Sequence, residues 1–169
     1  MKRRFALPPI LKPVLMLAVA MLSGSVACNT AAEDYSPDAI IALERGALDR
    51  WGKGDPQGYL DIMAPETTYF DPLQEKRIDG LDALREMLKP FTGKIKIDRI
   101  EMINPKVQRD GNVAVLTFNL ISHVTPPGVT PAITARWNTT EVYRRLDGHW
   151  KIVHSHFSYV KPELKQTIP

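Results

Sequence analysis

Glu141-Val-Tyr-Arg-Arg-Leu-Asp-Gly-His-Trp150-Lys-Ile-Val-His-Ser-His-Phe-Ser158 reads as two strands closed by a tight hairpin turn. Asp147-Gly148 suits a two-residue turn, because both residues tolerate the positive φ angles such a turn needs. Aromatic and β-branched residues crowd both arms, as a pleated, half-buried surface prefers. Side chains alternate between the two faces of a strand. Trp137, Thr139, Glu141 and Tyr143 therefore share one face of the first arm. On the second arm, strict alternation groups Trp150, Ile152, His154, His156 and Ser158, with Val153, Ser155 and Phe157 opposite.

Upstream of this hairpin the pattern stays strand-like as far back as Lys94. Ile95, Ile97 and Ile100–Ile103 form one segment, and Val113–Val124 a long apolar strand. Arg109-Asp110-Gly111-Asn112 is a turn signal between them, and Thr125-Pro-Pro-Gly128 a loop before the strand Thr134–Leu146. Helices precede the strands. Ser36 is a fitting N-cap with Pro37 at the first helical position. Ile40, Leu43, Ala47 and Trp51 recur at helical spacing until Gly52 and Gly54 stop the run. Asp55-Pro56 opens a short second helix with Tyr59, Leu60 and Met63, which Pro65 ends. Thr67–Phe70 is a short strand that stops at Asp71-Pro72, where proline cannot donate to a ladder. Leu81, Leu84, Leu88 and Phe91 mark a third helix. The order α-α-β-α-β-β-β-β predicts an α+β domain, its helices packed on one face of a curved, mainly antiparallel sheet.

This order resembles the nuclear transport factor 2-like superfamily, and two motifs carry the likeness over roughly residues 37–160. One is Thr68-Tyr69-Phe70-Asp71-Pro72, a loop, and then Gly80-Leu81-Asp82-Ala83-Leu84-Arg85. It is similar to the ketosteroid isomerase segment that delivers an Asp-Pro to a pocket rim. The other is the closing hairpin quoted above. It resembles SnoaL-like domains and the association domain of calcium/calmodulin-dependent protein kinase II. The resemblance implies a cone-shaped fold with three N-terminal helices and one deep apolar pocket. It implies that Asp71 is the general base of an acid/base enzyme, if the domain is one. Glu141 falls near the family's protonated oxyanion-hole acid, a carboxyl kept neutral by apolar burial.

The candidate catalytic residues are therefore Asp71, Glu141 and His156. The candidate ligand contacts are Trp51, Tyr59, Tyr69, Trp137, His154 and Ser158. Each has a plainer alternative: Asp71 capping a turn, Glu141 in a cross-strand ion pair, the histidines hydrogen-bonded in place. Histidines two apart on a strand can share a metal, but no second cluster accompanies them, so no metal is assigned. No Gly-rich phosphate loop or nucleophile elbow is present, and no cofactor is expected. Three function classes stay open, since fold alone does not choose among them. The first is a binder of a small apolar or carboxylated molecule. The second is a cofactor-free isomerase, cyclase or hydratase. The third is an association module, and a homodimer is the expected state.

The start of the chain adds an address. Lys2, Arg3, Arg4 and Lys12 precede the apolar run Val14–Leu22, and Ser25-Val26-Ala27 offers a cleavage site. The run is shorter than the roughly 20 residues a permanent span needs. Residues 1–27 are read as a signal peptide, 28–35 as a tether, 36–160 as the domain and 161–169 as a tail. The Arg3-Arg4 pair leaves the export route open. Of the 22 Lys and Arg, four lie in the signal, with none of the 19 Asp and Glu. The rest is thus nearly neutral, 18 basic against 19 acidic, which excludes a basic patch for nucleic acid. Cys28, the only cysteine, cannot form an intrachain disulfide. It stands where a lipoprotein is lipidated, although Ser25 departs from the usual signal; a lipid anchor and a spare thiol both stay open. A periplasmic or envelope-anchored bacterial product is expected. Intact-mass measurement of protein recovered from the envelope should give a chain that begins at Cys28, and a product retaining Met1–Ala27 overturns the export reading.

Overall fold

The computed structural model describes residues 36–125 and 133–161; the expected signal peptide, tether and tail lie outside them, apart from Lys161. Helix α1 spans Pro37–Gly52 and α2 Gln57–Leu60. Strand β1 is Met63–Phe70 and β2 the short Ile78–Asp79. Helix α3, Leu81–Leu88, runs into a 3-10 turn at Lys89–Phe91. Strands β3 (Arg99–Asp110), β4 (Val113–Val124), β5 (Ile133–Leu146) and β6 (His149–Tyr159) follow. The architecture is α+β with one six-stranded mixed sheet in the order β2-β1-β6-β5-β4-β3. Among the described residues only the β1–β6 pairing is parallel. The helices do not stand together at the N-terminus: α3 follows β1, and α2 is a single turn.

Local chemistry sets these boundaries. Ser36 Oγ accepts from the Ala39 amide at 3.2 Å, and Pro37 starts the helix. In the β5–β6 turn, Asp147 and Gly148 both have positive φ, 49° and 84°. Pro65 does not end a helix as the sequence suggested. α2 closes at Leu60, and Pro65 lies inside β1, between the Met63 and Thr68 pairings, where the ladder to β6 is interrupted. A proline without an N–H fits such a gap.

The core lies between the helices and one face of the sheet. Ile40 and Leu48 of α1 and Leu84 of α3 pack with Leu116, Tyr143 and Ile152. The ladder between β5 and β6 slips once. Val142 pairs with His154, but Tyr143 pairs with Ile152, so Val153 is an extra residue. Beyond that bulge every side chain of β6 changes face.

Gly52 and Gly54 do more than stop α1. They seat the segment 92–98, which crosses beside them on its way to β3. The Gly93 amide donates to the Gly54 carbonyl at 2.8 Å, and the Ile97 amide to the Gly52 carbonyl at 2.9 Å. A Cβ on Gly54 would stand 2.8 Å from the Ile95 carbonyl oxygen, at a φ of +80°. Gly93 has a similar φ, +70°, with open space around it. Gly93→Ala should cost about 1 kcal/mol from backbone conformation alone. Gly54→Ala should cost about 3 kcal/mol, because the strap must also move. Urea unfolding of the two variants measures the difference, and equal losses would refute the close seat.

Candidate functional site

A cavity of about 950 Å³ opens between the helices and the sheet. Its aromatic walls come from Trp51, Tyr59, Tyr69, Trp137, Phe157 and Tyr159. Leu84, Leu88, Leu120 and Ile100 add aliphatic surface. A second, smaller cavity of about 330 Å³ lies between the start of α1 and the β3–β4 turn.

Two carboxyl groups are sealed beneath the large cavity. Glu44 and Glu141 are both 0% exposed. Glu44 comes from the middle of the buried stripe of α1, Ile40, Ala47 and Leu48 being its buried neighbours on that helix. It gathers two phenols: the Tyr59 hydroxyl donates to Oε1 at 2.7 Å and the Tyr143 hydroxyl to Oε2 at 2.6 Å. Glu141 Oε2 is 2.5 Å from Ser155 Oγ, and its Oε1 has no partner. Burial pushes both carboxyls above their ordinary range, Glu141 far above, and the charge of Glu44 raises Glu141 further. The hydrogen bonds from Tyr143 and Tyr59 partly offset burial at Glu44. Glu141 is therefore the member of the pair that holds a proton most firmly. Burial, followed by the charges of Glu44 and Glu141, also lifts both phenols, so Tyr59 and Tyr143 stay neutral donors.

Asp71 stands at the cavity wall, just after β1. It combines both of its readings. The Leu73 amide donates to Oδ1 at 2.8 Å, a turn cap, and the Tyr69 hydroxyl donates to Oδ2 at 2.9 Å. Burial pushes the Tyr69 phenol up, and Asp71 adds to the shift. Also on the cavity wall, Trp137 Nε1 donates to Ser122 Oγ at 3.2 Å.

The candidate residues divide cleanly. Asp71, Trp51, Tyr59, Tyr69 and Trp137 border the cavity. Glu141 lies beneath it, behind Ser155 and beside Glu44, not in a cross-strand ion pair. His154, His156 and Ser158 are not on the cavity wall, which corrects the simple alternation. The bulge at Val153 sends them to the outer face and turns Ser155, Phe157 and Tyr159 inward. There His154 Nδ1 is 2.8 Å from Thr68 Oγ1, and Phe70 packs on both imidazoles. Burial, then His156 and Arg77, lower the His154 pKa. His156 thus cannot meet Asp71 and Glu141, because the sheet separates them. Among the described residues no group of three His, Cys, Asp or Glu could hold a metal. Glu44 was missed as a site residue, although an acidic residue inside an apolar helical stripe is a readable signal. Ser155 and Phe157 carried no such signal, since only the bulge brings them in.

The buried pair makes stability depend on pH. Both carboxyls have folded pKa values above the ordinary 4.5, so folding favours their protonated forms. Their contribution is complete below about pH 4.5 and is lost as pH rises through the raised values, by up to about 1.4 kcal/mol per pH unit for each group titrating. Glu141→Gln removes the more strongly shifted group. Urea unfolding between pH 5 and 9 should show a shallower decline for the variant than for the wild type; parallel profiles would contradict the assignment.

Residues 43–162 match the family described as SnoaL-like domain. Solved structures agree. A ketosteroid isomerase-like protein from Parabacteroides distasonis is similar with a TM-score of 0.66 and 40% identity, over 80% of this chain and 96% of that one. The association domain of calcium/calmodulin-dependent protein kinase II from C. elegans has a TM-score of 0.62 and 22% identity, over 72% and 93%. A nuclear transport factor 2-like protein of unknown function from Pseudomonas putida has 0.63 and 22%, over 77% and 87%. The last two likenesses concern the fold.

Proposed function

The chain belongs to the SnoaL-like domain family of the nuclear transport factor 2-like superfamily, and from that premise we propose that it binds a small, largely apolar molecule in the large cavity. One observation carries the reading: about 950 Å³ bounded by aromatic and aliphatic side chains, with few polar groups at its edge. A pocket of that size and make-up can bury most of a drug-sized molecule. The polar groups are fixed in place, Asp71 by its two donors and Tyr59 by Glu44.

A second reading is acid/base turnover of the bound molecule, with Asp71 as base. Its support is the carboxylate on the cavity wall, backed by a neutral buried acid at Glu141. A carboxylate beside an apolar ligand can take a proton from carbon when geometry aligns them. We place either activity outside the cytoplasm, in the periplasm or anchored at Cys28, on the strength of the signal-like residues 1–27. A homodimer through the outer sheet face completes the proposal, since no helix among the described residues covers the side that carries His154 and His156.

Nile red, a neutral apolar dye, should bind saturably at one site per chain. Met87→Trp fills the cavity wall and should weaken the dye at least tenfold, while stability changes by less than about 2 kcal/mol. Absence of saturable binding would sink the binding reading. Asp71→Asn separates the two readings: dye affinity should stay within twofold, whereas any exchange of deuterium into the α-carbon of bound 2-tetralone should vanish.

A further inference from the structure

The strap 92–98 brings two lysines to the cavity. Lys94 and Lys96 both border it and are both exposed, so they stand at its mouth. Their ammonium groups have no hydrogen bond or ion pair with any described residue. Two acids share the mouth, but each is turned to its own loop. Asp98 Oδ2 accepts from the Thr125 amide at 2.8 Å, and Asp71 is held by Leu73 and Tyr69. The strap itself is pinned to Gly52 and Gly54, so the lysine stems start from a fixed backbone.

The other end of the cavity has the opposite character. Glu44 and Glu141 lie beneath it, and no cation figures among the groups that act on either. An anion pushed to that end would lose its hydration in an apolar surrounding, where the nearby hydroxyls of Tyr59 and Ser155 already donate to Glu44 and Glu141. An anion at the mouth would meet two unpaired ammonium groups and keep part of its hydration.

We propose that the ligand is an amphipathic anion, bound with its apolar body in the aromatic cavity and its negative head between Lys94 and Lys96. This rests on the ligand-binding reading and sharpens it to a ligand class and an orientation. Lysines recognise the head as point charges, so charge is selected more than shape.

Three pyrene probes of one length test this: 1-pyrenebutanoic acid, 1-pyrenebutanol and 1-pyrenebutylamine, each titrated by its own fluorescence at pH 7. The acid should bind at least tenfold more tightly than the alcohol at 20 mM salt, and the amine more weakly than the alcohol. Lys94→Gln/Lys96→Gln should reduce the acid's advantage to threefold or less and leave the alcohol unchanged. Added salt, 0.5 M, should do the same in the wild type, because exposed charges are screened. Both substitutions are at exposed positions, so alcohol binding also reports that the double variant is folded. Equal binding of acid and alcohol overturns this inference and leaves the cavity reading standing. Failure of all three probes to bind overturns both.

Discussion

The extra residue at Val153 governs what the cavity is made of. Strand β6 lies between β1 and β5, so a change of face there is felt on both sides. Before the bulge, Trp150 and Ile152 fill the core; after it, Ser155, Phe157 and Tyr159 take the inner face. Phe157 then meets Tyr69 and Trp137 edge to face, with ring centroids 6.2 and 6.4 Å away. Such contacts orient aromatic rings and add to burial. Without the slip, imidazoles would stand where the aromatic wall now is.

Glu44 provides the second constraint. One carboxyl joins α1 to α2 through Tyr59 and to β5 through Tyr143. A buried acid without a cation is costly, and the cost is reduced here by neutral donors and by protonation rather than by a salt bridge. Glu141 shares that arrangement and adds to it an unpartnered oxygen. The buried acid pair is thus placed directly under the aromatic cavity. Such a placement sacrifices stability, which is common where a fold supports a site.

The cavity consequently has a direction. Its closed end holds the buried acids Glu44 and Glu141, while its open end carries exposed lysines on a pinned strap. The pinning depends on two positions without side chains, Gly52 and Gly54, so the end of a helix and the shape of a binding site share one cause.

Much of this chain is legible in its sequence. The N-cap at Ser36, the turn at Asp147-Gly148 and the limits of Val113–Val124 follow from local chemistry, because capping, positive φ and strand periodicity are properties of neighbouring residues. The α+β class follows from their order, and Asp71 was placed near a cavity by a motif of a few residues. Tertiary structure alone decided the face of each residue past Val153, since a bulge is set by the partner strand and leaves no mark in the alternation it breaks. It alone brought Glu44 to Glu141 across 97 positions of sequence, and Lys94 and Lys96 to the cavity that Asp71 also borders. Such contacts depend on where distant segments pack, and no local preference encodes them.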